Sequence, residues 1–194
     1  MLQRQAKVLR PAQIRAVLDH LSRTRHPVRN RVIFLLSLRA GLRAKEIVGL
    51  EWRMVTDSEG RITDTLSLTD SAAKGRSGGV VPMAGDLRQS LTALRLFAPD
   101  RLGSEKVIRT ERSAATSAQV IINLFRQWYT ALGFDGCSSH SGRRTFITMT
   151  ARNIGRFGGS LRDVQALARH RSLAMTQRYI EIDSQAMRRV VDGW

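Results

Sequence analysis

Acidic residues are scarce in this chain. Asp and Glu total 16 against 32 Lys and Arg, leaving a formal net charge of +16 and a pI near 11.6. A surplus of that size favours a polyanionic partner, nucleic acid first. Lysine is scarce as well, occurring only at Lys7, Lys45, Lys74 and Lys106. Genome base composition could explain arginine over lysine, but not the twofold excess of basic over acidic residues. The charges are spread along the chain rather than gathered beside one apolar face, which argues against a membrane-surface role. One cysteine, Cys137, excludes an intramolecular disulfide and a cysteine-rich zinc site. The longest apolar run, Val32 to Leu38, is broken by Ser37 and is too short to span a bilayer. The N-terminus lacks the apolar core of a signal peptide, so a cytoplasmic protein is expected. There is no internal repeat and no low-complexity segment.

What is present suits one domain: 194 residues with 42% hydrophobic content can bury a core. Residues 1–10 are basic with little periodicity and are expected to form an arm, with a single domain over 11–194. Pro11 fits the first turn of a helix whose Ile14, Val17, Leu18 and Leu21 make one buried stripe. Thr24 to Pro27 breaks it. A more apolar helix from Arg29 or Asn30 to Arg39 is placed in the core and ends at Gly41. Leu42 to Leu50 reads as a short helix bearing Arg43 and Glu46, three apart and able to pair. Glu51 to Asp57, Arg61 to Leu68 and Val80 to Met83 read as three short strands. The glycine-rich loop between the last two carries Lys74 and Arg76. Asp86 to Phe97 predicts an amphipathic helix with Leu87, Leu91, Leu94 and Phe97 inward. After a long polar loop, Thr116 or Ser117 caps a helix to about Leu132 with Val120, Leu124, Phe125 and Trp128 inward. Further helices over the last third end with one at Gln185 to Val191.

The stretch from Ser139 to Ile180 organises the rest. His140 and Arg143 are three apart, hence on one helix face, with the helix continuing through Arg152. His170 and Tyr179 follow, nine apart, with Ser172 as a plausible N-cap between them. A phenol can attack phosphorus, an arginine can steady phosphate charge, and imidazoles can donate hydrogen bonds or move protons: together they suit phosphoryl transfer to a protein hydroxyl. Singly, Tyr179 reads as a packed core residue, His140 as a cap or core histidine, and His170 as a surface residue within Arg169-His170-Arg171. Arg43 and Glu46 read singly as an ordinary surface ion pair, and Lys74 as a solvated loop lysine.

In this order and spacing, the H-x-x-R at His140 to Arg143, then His170, then Tyr179 resembles the C-terminal signature of the tyrosine recombinases, the phage-integrase family. Gly41-Leu42-Arg43-Ala44-Lys45-Glu46-Ile47, followed by Leu50 and Trp52, is similar to that family's first arginine box. The resemblance runs from about Leu9 to Ile182. It implies a mainly α fold with a small three-stranded antiparallel sheet, and a site-specific recombinase or integrase that acts on double-stranded DNA without a metal or other cofactor. It implies that Tyr179 attacks a phosphodiester to form a 3′-phosphotyrosyl bond, with Arg43 and Arg143 clamping the non-bridging oxygens. Glu46 would orient Arg43, Lys74 would protonate the leaving oxygen, His140 would help accept the tyrosine proton, and His170 would hydrogen-bond the phosphate. It also implies a homotetramer on DNA, compatible with a monomeric free chain and formed by exchange of the C-terminal segment. The apolar Met187, Val190, Val191 and Trp194 would dock on another protomer or fold back on their own.

Three departures from the family pattern stand out. Gly142 replaces a common leucine before the second arginine. Arg169 replaces a common glycine before the late histidine and is expected to add charge without touching the catalytic set. The chain also resembles the short, catalytic-domain-only members or a piece of a longer integrase, since residues 1–10 are too few for the usual N-terminal core-binding domain. Two other functions share the same chemistry or fold: a DNA-binding regulator without catalysis, and a type IB topoisomerase.

Overall fold

The computed structural model describes residues 6–69, 78–97, 99, 103–110, 116–180 and 184–192. The most apolar stretch forms the centre. Helix α2 (Pro27–Arg39) buries Asn30 and every residue from Val32 to Leu38, as expected of a helix apolar on all sides. It starts two or three residues earlier than the sequence suggests, because Pro27 fits the first turn, where a missing N–H costs nothing. Around it pack α1 (Pro11–Ser22), α3 (Ala44–Gly49), α4 (Gly85–Leu96) and α6 (Ser141–Asn153), with α5 (Ala118–Ala131) lying against α3 and α1. Val17 and Leu21 of α1 are fully buried, with Ile14 and Leu18 packed at their edge. The Ser117 hydroxyl caps α5 by accepting from the Val120 amide at 3.3 Å. Phe125 of α5 joins Phe34, Trp128 and Tyr129 in an aromatic cluster.

Two inward assignments are corrected. Phe97 is 76% exposed because it follows the end of α4, and Val120 sits on the outer side of the first turn of α5 while Ile121 takes the inner place.

The sheet is also smaller than expected. Among the described residues it has two antiparallel strands, β1 (Thr65–Leu68) and β2 (Gly79–Pro82), paired from Thr65 with Pro82 to Leu68 with Gly79. The segment expected as a first strand, 51–57, instead makes a single 3-10 turn at Trp52–Met54, flanked by isolated bridges Glu51 to Lys106 and Thr56 to Ile62. Trp52, Met54 and Val55 are all buried, a pattern that alternation over a strand does not produce. Lys74 and Arg76 lie outside the described residues.

The last third is a smaller unit against α6. A 3-10 turn (Ile154–Phe157) leads to α7 (Leu161–Ala168), where the Ser160 amide and hydroxyl both donate to Asp163 at 2.7 and 2.8 Å. Then come α8 (Leu173–Gln177) and α9 (Ser184–Asp192). Ile147, Val164 and Ala168 form its core, with Tyr179 packed on the edge. At the other end of the chain, Leu9 is buried and its amide donates to Thr145 Oγ1 at 2.8 Å, seating residues 6–10 on α6. No helix among the described residues is long and apolar enough to cross a membrane.

Candidate active site

The site forms where the ends of α2, α3, α6, α7 and α8 meet. Gly41 turns the chain out of α2 with φ 63°, and a Cβ there would lie 2.6 Å from the Phe146 ring, so glycine is required both by conformation and by space. This turn presents Arg43 just before α3. Arg43 and Glu46 pair as the spacing suggests, but not on the surface. Glu46 is fully buried; its Oε1 accepts from Arg43 Nη1 and its Oε2 from the Arg43 amide, both at 2.8 Å. Burial alone would raise the Glu46 pKa. Arg169, the Arg43 amide, and the Arg43 and Arg143 guanidinium groups outweigh it, holding the carboxylate below its ordinary range and ionised.

Arg143 lies in the first turn of α6 and is buried. Its guanidinium donates to the carbonyls of Gly41 and, at 2.6 Å, Ala168, which ties α6 to the turns after α2 and α7. A guanidinium has five N–H donors, more than these two carbonyls use. Burial, with Arg43 nearby, pushes its pKa down to about 10, so it stays charged at neutral pH. Gly142 beside it has a packing reason: a Cβ there would stand 2.5 Å from Ser37 Oγ, so only glycine lets α6 approach α2 this closely.

His170 is buried rather than part of a surface basic run. Its Nδ1 lies 3.0 Å from Thr176 Oγ1, and its ring stacks on Tyr179 with centroids 5.4 Å apart and planes 28° apart. Burial first, then Arg143, Arg43 and Arg169, push its pKa down to about 4, so the ring is neutral at pH 7. Tyr179 follows α8. Its carbonyl accepts from Thr148 Oγ1 at 3.3 Å, and the Arg144 guanidinium sits 5.8 Å from its ring centroid. His140 is exposed at the N-terminal edge of α6.

Arg43, His140, Arg143, Arg144, Arg178 and Tyr179 line one cleft of about 320 Å³, together with Ala6. The structure therefore brings together every predicted site residue that lies within the described residues, with His170 behind Tyr179 and Glu46 behind Arg43. A larger cleft of about 440 Å³, lined by residues including Trp52, Phe97 and Arg109, contains none of them. Arg144 and Arg178 were not singled out in the sequence; their signal was adjacency to Arg143 and Tyr179. Arg169 is a correction. It does touch the set, since its Nη2 donates to Glu46 Oε2 at 3.0 Å and its side chain is 2% exposed. Among the described residues, no three His, Cys, Asp or Glu side chains gather as a metal site.

A profile of the Phage integrase family matches residues 7–186. Among curated proteins, the tyrosine recombinase XerC of Brucella suis biovar 1 (strain 1330) is 28% identical over 166 residues, covering 84% of this chain and 50% of that protein. XerC of Rhizobium meliloti (strain 1021) is 29% identical over 166 residues, covering 84% and 49%. The chain thus spans about half the length of the curated relatives it matches. Among solved structures, XerA recombinase superposes with a TM-score of 0.74 at 20% identity, over 100% of this chain and 65% of that one. XerH recombinase bound to its difH substrate gives 0.69 at 18% identity, over 98% and 55%.

Proposed function

The chain belongs to the phage integrase family, and on that premise we propose that it is a tyrosine-type site-specific recombinase that cuts and rejoins double-stranded DNA. The observation that carries this reading is the cleft in which a phenol, Tyr179, shares a wall with Arg43, Arg143, Arg144 and Arg178. A phosphodiester there meets a nucleophile and a set of cations.

Tyr179 Oη attacks phosphorus. The phosphorus–tyrosyl bond forms, the bond to the 5′ oxygen breaks, and a 3′-phosphotyrosyl linkage and a free 5′-hydroxyl result. The reverse attack by a 5′-hydroxyl expels the phenolate and reseals the strand, conserving the bond energy. Arg43 and Arg143 stabilise the charge that builds on the non-bridging oxygens; both are held in advance, one by Glu46 and the other by backbone carbonyls. Neutral His170, its Nδ1 within hydrogen-bond distance of the Thr176 hydroxyl, serves as a hydrogen-bond donor to the phosphate in the tautomer that carries the proton on Nε2. His140, open at the cleft, helps accept the tyrosine proton, and Lys74 supplies the proton for the leaving oxygen.

We propose further that residues 11–194 form the catalytic domain, and that the chain assembles as a homotetramer on DNA. Met187, Val190 and Val191 of α9 are all exposed, an apolar face on a nine-residue helix too short to be stable unpacked. Docking on a neighbouring protomer would cover it.

The test is incubation with a nicked suicide substrate carrying a candidate site, followed by denaturing electrophoresis. The expected result is a denaturant-stable adduct with the wild type, and none with Tyr179→Phe, which still binds DNA. No adduct with any DNA would leave a non-catalytic DNA-binding regulator. An adduct with arbitrary supercoiled DNA, accompanied by relaxation, would favour type IB topoisomerase activity.

A further inference from the structure

Arg169 is a buried cation beside the cleft that the reaction as described does not use. Its side chain is 2% exposed, against 23% for Arg43, so its charge is turned into the protein rather than toward DNA. Its Nη1 donates to the Ala40 carbonyl at 3.3 Å and its Nη2 to Glu46 Oε2 at 3.0 Å. One carboxylate therefore serves two arginines. Oε1 takes the Arg43 guanidinium, while Oε2 takes the Arg43 amide and Arg169. A fully buried carboxylate keeps its charge and its rotamer only when such donors surround it.

The backbone sharpens the point. Arg169 has φ 53° and ψ 47° and is the one non-glycine residue with positive φ among those described. Glycine would adopt this left-handed turn without strain. The turn closes α7 and passes directly into His170, whose amide bonds the Gln165 carbonyl at 3.0 Å. The side chain thus offsets an unfavourable backbone by joining the ends of α2 and α7 to Glu46.

We propose that Arg169 is a positioning residue for DNA cleavage: by gripping the carboxylate that grips Arg43, it holds the Arg43 guanidinium aimed into the cleft. This rests on the recombinase reading of the site. The role is distinct from that of Arg43, because Arg43 lines the cleft with Tyr179 and Arg169 does not.

The experiment uses the full chain and its Arg169→Gly, Arg169→Lys, Glu46→Gln and Arg169→Gly/Glu46→Gln variants. It measures three quantities: single-turnover adduct formation on the suicide substrate at saturating DNA, the Kd for the same duplex, and the melting temperature. Arg169→Gly removes the side chain while suiting the backbone. It is expected to slow adduct formation by about tenfold, the low end of what losing an outer partner of a functional group does, with Kd nearly unchanged. Arg169→Lys is expected to recover part of the rate, since it restores the charge without the planar fork. In the Glu46→Gln background, Arg169→Gly is expected to add little, because both changes break one connection. The groups facing Glu46 are Arg43, Arg143 and Arg169; with Arg169 gone, the acid limb of the rate profile moves to higher pH.

An unchanged rate in Arg169→Gly would overturn the proposal. So would losses additive with Glu46→Gln, or a rate loss that follows melting temperature with the acid limb unmoved. If Arg169→Gly does not fold, Arg169→Lys carries the test, and full wild-type rate there overturns the specific grip. Absence of adduct from the wild type would overturn the recombinase reading and this role with it. An active wild type with equally active Arg169 variants would overturn this role alone.

Discussion

At the scale of single residues, burial separates the two phenols of the chain. Tyr129 is 2% exposed in the aromatic cluster, its hydroxyl has no hydrogen-bond partner among the described residues, and burial pushes its pKa well above the ordinary tyrosine range. Tyr129→Phe should therefore leave adduct formation intact and leave the melting temperature equal or slightly raised, since an unsatisfied buried hydroxyl is lost. A missing adduct in Tyr129→Phe would contradict the assignment to Tyr179. His170 makes a pH prediction. Its folded pKa, about 4, lies below the unfolded value near 6.5, so the unfolded state binds more protons between those limits. Stability should fall as pH drops through that window, by on the order of 3 kcal/mol. His170→Gln should flatten the thermal melting profile between pH 6.5 and 4. A mutant profile as steep as the wild type would assign the loss to other groups.

At the scale of elements, the contact between α2 and α6 decides how closely Arg43 and Arg143 approach. Gly142 faces Ser37 where any Cβ would sit 2.5 Å from the hydroxyl oxygen and 3.0 Å from Cβ. Gly142→Leu, although it restores the commoner family residue, should destabilise the chain by roughly 1–3 kcal/mol through overpacking. Pairing it with Ser37→Gly should recover part of that loss in chemical denaturation. A Gly142→Leu variant as stable as the wild type would mean that the helices separate freely there. The same principle explains how local patterns succeeded or failed. Helices α1, α4 and α5 were legible because apolar spacing is a local signal, and α6 because His140 and Arg143 stand one helical turn apart. The three-strand expectation failed at 51–57 because apolar residues bracketing a turn look like a strand in sequence. Only packing of Trp52, Met54 and Val55 against the core chose a 3-10 turn.

At the scale of the whole molecule, a net charge of +16 predicts steep electrostatics. Affinity for duplex DNA should fall with salt, each neutralised phosphate contributing a log–log slope of about −0.9. A flat response between low and physiological ionic strength would remove the electrostatic basis of binding. Charge and residue order are properties of the linear chain, so the family, the mainly helical class and the candidates for the site could be read from the sequence: Arg43, Glu46, His140, Arg143, His170 and Tyr179 stand in one order at recognisable spacings. Their environments could not. Glu46 looks the same in sequence whether it is a surface partner or a fully buried carboxylate shared by two arginines, and Arg169 looks like one more basic residue in a basic run. Those distinctions depend on contacts between residues 123 positions apart, which exist only once the turn after α7 has closed on the end of α2 and on Glu46 of α3. Burial then removes water from the competition, and that loss of water turns an ordinary ion pair into a fixed mount for the cleft.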